Sequence, residues 1–414
     1  MQVGAGAGLV LGLGWLVVQQ WLGSPDFKLR AEAAASAAVG VPVHVDRVTL
    51  DVWPVPAAAL VAVRIGSQPA LTIQRVEARA VLRPLLSGRL ELSSLRVVRA
   101  DIAQAGWEHL LAQRNKNAGV GGGGEKNAAP PITLPARVRV EGLTWRPLTD
   151  EPTTLDADLR IGPEQLPDTV SAKVLSGALR GAQLRLARRQ LDWDVRVDYA
   201  GGHITGLLSL DRLPLAGVAV SVRGTLTTEG VELAGLSRQR LTGRLSADTT
   251  LALRTGQPGA ALDALQTQSS FTVRNAVVHG VDLARAVKTV GLSRGGETRL
   301  DSLAGQVSTR GKSVNFSQLL ASSGVLSASG QVTVSPSQAL RGRVQVSLGP
   351  GSIGQAVGVP LVLGGTVDAP ELTLTRSAML GAAVGTLVLP GVGTGAGASL
   401  GDKIGDKLQG LIGK

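Results

Sequence analysis

The chain has 414 residues, no cysteine, four histidines and a formal net charge of +11 at pH 7. The absence of cysteine excludes a disulfide framework and thiolate metal sites, and His44, His109, His203 and His279 are too scattered to suggest a metal cluster or a histidine-centred catalytic site. Aromatics are only 2% of the chain and the arginines are spread rather than blocked, which argues against a nucleic-acid platform of stacked bases; the basic residues read as the solvated face of a sheet, with contact to anionic lipid headgroups as the second reading.

Residues 3–22, VGAGAGLVLGLGWLVVQQWL, carry no charge and number 20, a length that matches the ~30 Å hydrocarbon layer of a bilayer when helical. Residues 1–23 are therefore expected to form one transmembrane anchor, with Val10, Leu11, Leu13, Trp15, Leu16, Val17 and Val18 against lipid and Trp21 in the interfacial belt. A cleaved signal peptide would need a basic leader and a small-residue site close behind the apolar run, and neither is present. Lys28 and Arg30 follow the span, which alone would favour a cytoplasmic body, but long domains cross membranes largely regardless of that bias.

Residues 24–112 begin with a helix signal, Ser24 as N-cap, Pro25 in the first turn and Gly40 as the stop. Four strands are expected next, in VHVDRVTLDV, LVAVRIG, VEARAVL and RLELSSLRVVRADI. Residues 113–135, opening QRNKNAGVGGGGEKNAAPP, are rich in Gly, Asn and Pro and read as a linker or loop.

Residues 136–376 alternate almost throughout. In LDWDVRVDYA, Leu191, Trp193, Val195, Val197 and Tyr199 share one face of an extended strand, and Asp192, Asp194, Arg196 and Asp198 share the other. In ALRGRVQVSLG the same period puts Val344, Val346 and Leu348 together. One helix interrupts, VDLARAVKTVG, with Leu283, Val287 and Val290 at helical spacing. Residues 377–414 turn helical, with a glycine hinge at 391–397 and an amphipathic end in which Leu400, Ile404, Leu408 and Leu411 form a stripe. Too few helices are expected to cover so many one-sided strands, so the apolar face needs another partner.

No catalytic motif survives inspection. GLSRG at Ser293 and GASLG at Ser399 match a nucleophile elbow but lack the strand-to-helix setting and the histidine and acid partners. GQVSTRGKS, residues 305–313, has one residue too many for a phosphate loop, and Arg310, Gly311, Lys312 and Ser313 fit a hairpin turn better. No cofactor or metal is implied.

The chain resembles the AsmA family of Gram-negative envelope proteins. The N-terminal third carries part of the likeness in VGVPVHVDRVTLDVWPVPAAALVAVRIG and LRPLLSGRLELSSLRVVRADI; the C-terminal third carries more, in VRNAVVHGVDLARAV, LLASSGVLSASGQVTVS and VPLVLGGTVDAPELTLT. The resemblance implies an inner-membrane anchor, a periplasmic body and a long curled antiparallel β-sheet with an apolar-lined groove. Family members are similar to bridge proteins that conduct phospholipid between membranes. Leu191, Trp193, Val195, Val197, Tyr199, Val344, Val346 and Leu348 would then line the groove and meet acyl chains. The competing expectation is an envelope scaffold whose apolar faces close as a β-sandwich and which binds other proteins.

Overall fold

The computed structural model describes residues 28–29, 32–33, 35–36, 41–51, 57–81, 92–119, 134–148, 151–212, 220–255, 261–289, 295–324, 326–349, 358–375 and 378. The expected span at 1–23, the amphipathic tail, Ser293 and Ser399 lie outside them. The described chain is mainly β: nineteen strands, all assigned to one mixed sheet, with three helices of stated bounds. It divides into two units, Met1–Arg188 and Arg189–Lys414.

The first unit holds β1 (Val43–Asp51), β2 (Ala57–Ile65), β3 (Leu71–Ala80), β4 (Leu92–Ala103), helix α1 (Gln104–Gly119), β5 (Arg137–Arg146), β6 (Thr153–Ile161), β7 (Pro167–Val174) and β8 (Gln183–Arg189). Each strand pairs antiparallel with the next except β4 and β5, which are parallel. An all-antiparallel sheet was expected, and the difference has a plain cause. Parallel neighbours need a crossover, and α1 lies in it, so residues 113–119, expected as linker, continue the helix. Gly106 lets α1 approach closely, since a Cβ there would lie 2.3 Å from the Pro69 carbonyl oxygen. Leu110 thereby buries itself with Val41 and Leu71.

Residues 28, 29, 32, 33, 35 and 36 are helical, as the N-cap signal predicts. Ala35 packs on Val43, Val45 and Val63. From the same segment Ser36 Oγ accepts the Val43 N–H at 2.8 Å and Glu32 Oε1 accepts the Val45 N–H at 2.7 Å. These contacts satisfy donors that an edge strand would otherwise offer to another chain.

The second unit holds β9 (Asp192–Tyr199), β10 (Gly202–Arg212), β11 (Val220–Glu232), β12 (Leu241–Thr255), α2 (Ala261–Ala264), β13 (Leu265–His279), α3 (Leu283–Lys288), β14 (Glu297–Arg310), β15 (Ser313–Ser322), β16 (Leu326–Val334), β17 (Leu340–Leu348), β18 (Val359–Gly365) and β19 (Pro370–Leu374). Every neighbour in this series pairs antiparallel. The expected helix at VDLARAVKTVG is α3, whose Asp282 N-cap accepts the Arg285 N–H. The phosphate-loop lookalike is a hairpin: β14 ends at Arg310, β15 begins at Ser313, and Gly311 takes φ 58° in the turn.

Candidate functional site

Directly paired residues project to the same face of a sheet, so the register identifies a face across all eleven strands of the second unit. One row runs Val195, Gly206, Leu226, Thr249, Ser269, Val307, and continues through Phe316, Val332, Gly342, Leu363 and Leu372. A neighbouring row starts Trp193, Leu208, Gly224, Leu251. Alternation along each strand thus adds up to one continuous apolar face. Its hydroxyls satisfy one another: Thr249 and Ser269 share a hydrogen bond of 2.8 Å, and Thr267 and Thr309 one of 2.6 Å. Such pairing removes the penalty of polar groups held against an apolar neighbour.

Protein covers part of this face. Val273, Ala276, Leu300, Leu326, Val346 and Leu361 are buried in a cluster that includes Ala286 of α3, with Leu283 and Val287 packed on it. Leu226, Leu251, Val307, Phe316 and Val332 are half-buried and belong to none of the buried clusters among the described residues. In β11 and β15 a bulge falls at the change, at Gly230 and Gln318, with φ 67° and 51°. Bulges bend a strand and re-aim its side chains. Leu226 lies before the β11 bulge and Leu233, packed on the covered core, after it; Phe316 and Ala321 flank the β15 bulge in the same way.

The expected lining residues divide accordingly. Trp193, Val195 and Tyr199 are buried and Val197 is half-buried, all on β9. Leu191 is 53% exposed in the turn before β9, where Gln190 takes φ 60°, so the strand face begins two residues later than the alternation suggests. Val346 is fully buried with Val344 and Leu348 packed beside it, but in the cluster covered by α3. The two groups therefore share a face and are both largely buried, but only the Val346 group belongs to the cluster that α3 packs on. Sequence reading missed Leu226, Leu251, Val307 and Phe316, whose alternation in GTLTTEG, TTLALR, GQVSTR and VNFSQLL is diluted by Thr and Ser.

The opposite face is polar. The first unit has a polar face of its own, on which charges are paired: Arg75 with Glu77 along β3 at 2.6 Å, and across strands Arg96 with Glu141 at 2.7 Å and Arg137 and Arg139 with Asp158 at 2.7 and 3.0 Å. Hydrogen bonding from Arg96 holds the Glu141 carboxyl below the usual range, and bonding from Arg137 does the same for Asp158. Hydrogen bonds to Glu164 and Asp168 raise Arg188. Among the described residues no group of His, Asp and Glu is arranged to hold a metal ion. No protein-family model, curated protein or solved structure matches the chain.

Proposed function

We propose that the open part of the apolar face in the second unit binds acyl chains, and that the protein holds or conducts phospholipid for outer-membrane homeostasis. The observation that supports this most is that Leu226, Leu251, Val307 and Phe316 stay half-buried and join none of the buried clusters among the described residues, on a face where Thr249 pairs with Ser269 and Thr267 with Thr309. Apolar surface left to water costs about 25 cal/mol per Å², so a ligand of the same character is favoured there. The resemblance to the AsmA family points the same way. On this reading residues 1–23 anchor the chain in the inner membrane, the body lies in the periplasm, and the protein is not an enzyme.

A second reading rests on a different observation. The sealed cluster around Val346 and α3 is what a closed scaffold would contain, and a scaffold would bind other envelope proteins through its edges. One paired experiment separates the two. The full chain and its Leu226→Glu variant, changed at a half-buried position of the face, are purified in detergent, their phospholipid content is measured by mass spectrometry, and their thermal unfolding is compared. Under the lipid reading the native chain carries phospholipid, and the variant melts near the native temperature but has lost it, since a carboxylate in an open trough reaches water. Lipid-free native protein with a variant that collapses on heating would establish the scaffold reading, because a charge sealed in a core has no escape.

A further inference from the structure

Arg240, just before β12, and Asp368, in the turn between β18 and β19, form an ion pair at 3.0 Å. Seven strand spacings separate β12 from β19 along the sheet, about 34 Å if the sheet were flat at ~4.8 Å each. A 3.0 Å contact therefore requires that this part of the sheet rolls back on itself. A second approach agrees: a Cβ placed on Gly280, just after β13, would lie 3.5 Å from Cγ of Pro370, the first residue of β19. Helix α3 fills the roll. It contacts both β14 and β17, three strands apart, and its Ala286 is 1% exposed in a cluster with Ala276, Val346 and Leu361, each 0% exposed. Thr298 Oγ1 fixes the start of α3, accepting the Leu283 N–H at 3.0 Å and donating to the Val281 carbonyl at 2.7 Å. The apolar row of the candidate site runs into this plug: Val332 and Gly342 lead to Leu363, packed on the cluster, and to Leu372, buried in it.

We propose that the acyl-binding face is blind at this end, so that lipid enters and leaves by the same part of the face, over Leu226, Leu251, Val307 and Phe316. This rests on the lipid reading, and it makes the second unit a holder of phospholipid where that reading left holding or conducting open. An acyl chain crossing β17 to β19 would have to displace α3 or the β18–β19 hairpin. Side chains there are packed at the density of a protein interior, with no space for a ligand beside Val346 and Leu361. The chain would gain no burial either, because α3 already supplies the apolar cover that drives acyl binding elsewhere. The Arg240 and Asp368 side chains are 41% and 64% exposed, so their pair contributes little and the seal is held by apolar packing.

The test places the photo-crosslinking residue benzoylphenylalanine at one position per full-length chain: Leu251 or Phe316 in the open part, Leu348 or Leu363 at the plug, all four half-buried in the native chain. Each chain is irradiated in membranes, purified and weighed by mass spectrometry, and its melting is compared with that of the native chain. Phospholipid adducts are expected at Leu251 and Phe316 and not at Leu348 and Leu363. Adducts at either plug position in a chain that melts like the native one would overturn the proposal. Adducts at none of the four would overturn the lipid reading and this inference with it. A second measurement leaves the plug untouched. Arg240→Cys and Asp368→Cys, both at exposed positions, are joined by a short bis-maleimide, which is selective because the native chain has no cysteine. The locked chain should exchange fluorescent phospholipid with vesicles as fast as the unlocked double variant. Slower exchange in the locked chain would mean that the plug opens to pass lipid, and would overturn the proposal.

Discussion

The rings of Phe271 and Phe316 meet edge to face, with centroids 6.2 Å apart and planes at 85°. They stand on β13 and β15, on either side of β14, and the residue of β14 directly opposite Phe271 is Gly305. Without a side chain at Gly305 the two rings reach each other across the intervening strand. Phe271 packs on the core covered by α3, whereas Phe316 belongs to none of the buried clusters. The pair therefore marks where covered sheet gives way to open sheet.

Replacing each ring in turn should separate stability from binding. Phe271→Ala removes core packing and should cost about 2–4 kcal/mol, read as a lower denaturation midpoint with an unchanged slope. Phe316→Ala should cost roughly half of that or less, because its ring packs on none of the buried clusters among the described residues, but should lower bound phospholipid more. Equal destabilisation by the two changes would mean that protein covers both rings alike.

The edge of β1 offers a second test. Glu32→Ala and Ser36→Ala each remove an acceptor from a strand N–H, at about 1 kcal/mol apiece. The larger expected effect is on association, because the double variant exposes strand donors to other chains. Size-exclusion chromatography should show higher oligomers for the double variant at concentrations where the native chain elutes normally. An unchanged profile would show that the edge is protected by something other than these two side chains.

Acid should destabilise the first unit in a defined window. Glu141 and Glu164 have folded-state values below the ordinary 4.5, lowered chiefly by hydrogen bonds from Arg96 and Arg188. A depressed carboxyl contributes stability that is complete above its unfolded value and is lost as pH falls through its folded value. Melting temperature should accordingly hold steady from pH 7 to 5 and drop below about 4.5. In Glu141→Gln the drop should be shallower, since one linked proton has been removed. A native curve that already falls between pH 7 and 5.5 would assign the acid sensitivity to other groups.

The proposed anchoring by residues 1–23 has its own test. A reporter active only outside the cytoplasm, fused after Lys414, should be active, and the chain should resist extraction by alkaline carbonate. Replacing Leu13 and Val17 with arginine should release it, because each charge at the centre of a span costs about 2.5–3.5 kcal/mol on insertion. An inactive fusion beside a working cytoplasmic control would contradict the periplasmic body.

The sequence by itself determined the material of the fold. Period-two alternation in LDWDVRVDYA and ALRGRVQVSLG fixed strands with one apolar and one polar side, and the helical spacing of Leu283 and Val287 in VDLARAVKTVG marked α3. These signals are local, so a single chain segment carries them whole. What covers the apolar side is not local. An apolar residue has the same character in the sequence whatever its neighbour, and only the register placed half-buried Leu226 and fully buried Val346 on one face. The parallel step from β4 to β5 was also hidden, because a Gly- and Asn-rich run reads as a loop until packing of Leu110 stabilises the helix that enters it. Bulges at Gly230 and Gln318 arise from strand pairing across β10 to β16, and pairing between distant segments is decided by the energy of the whole sheet.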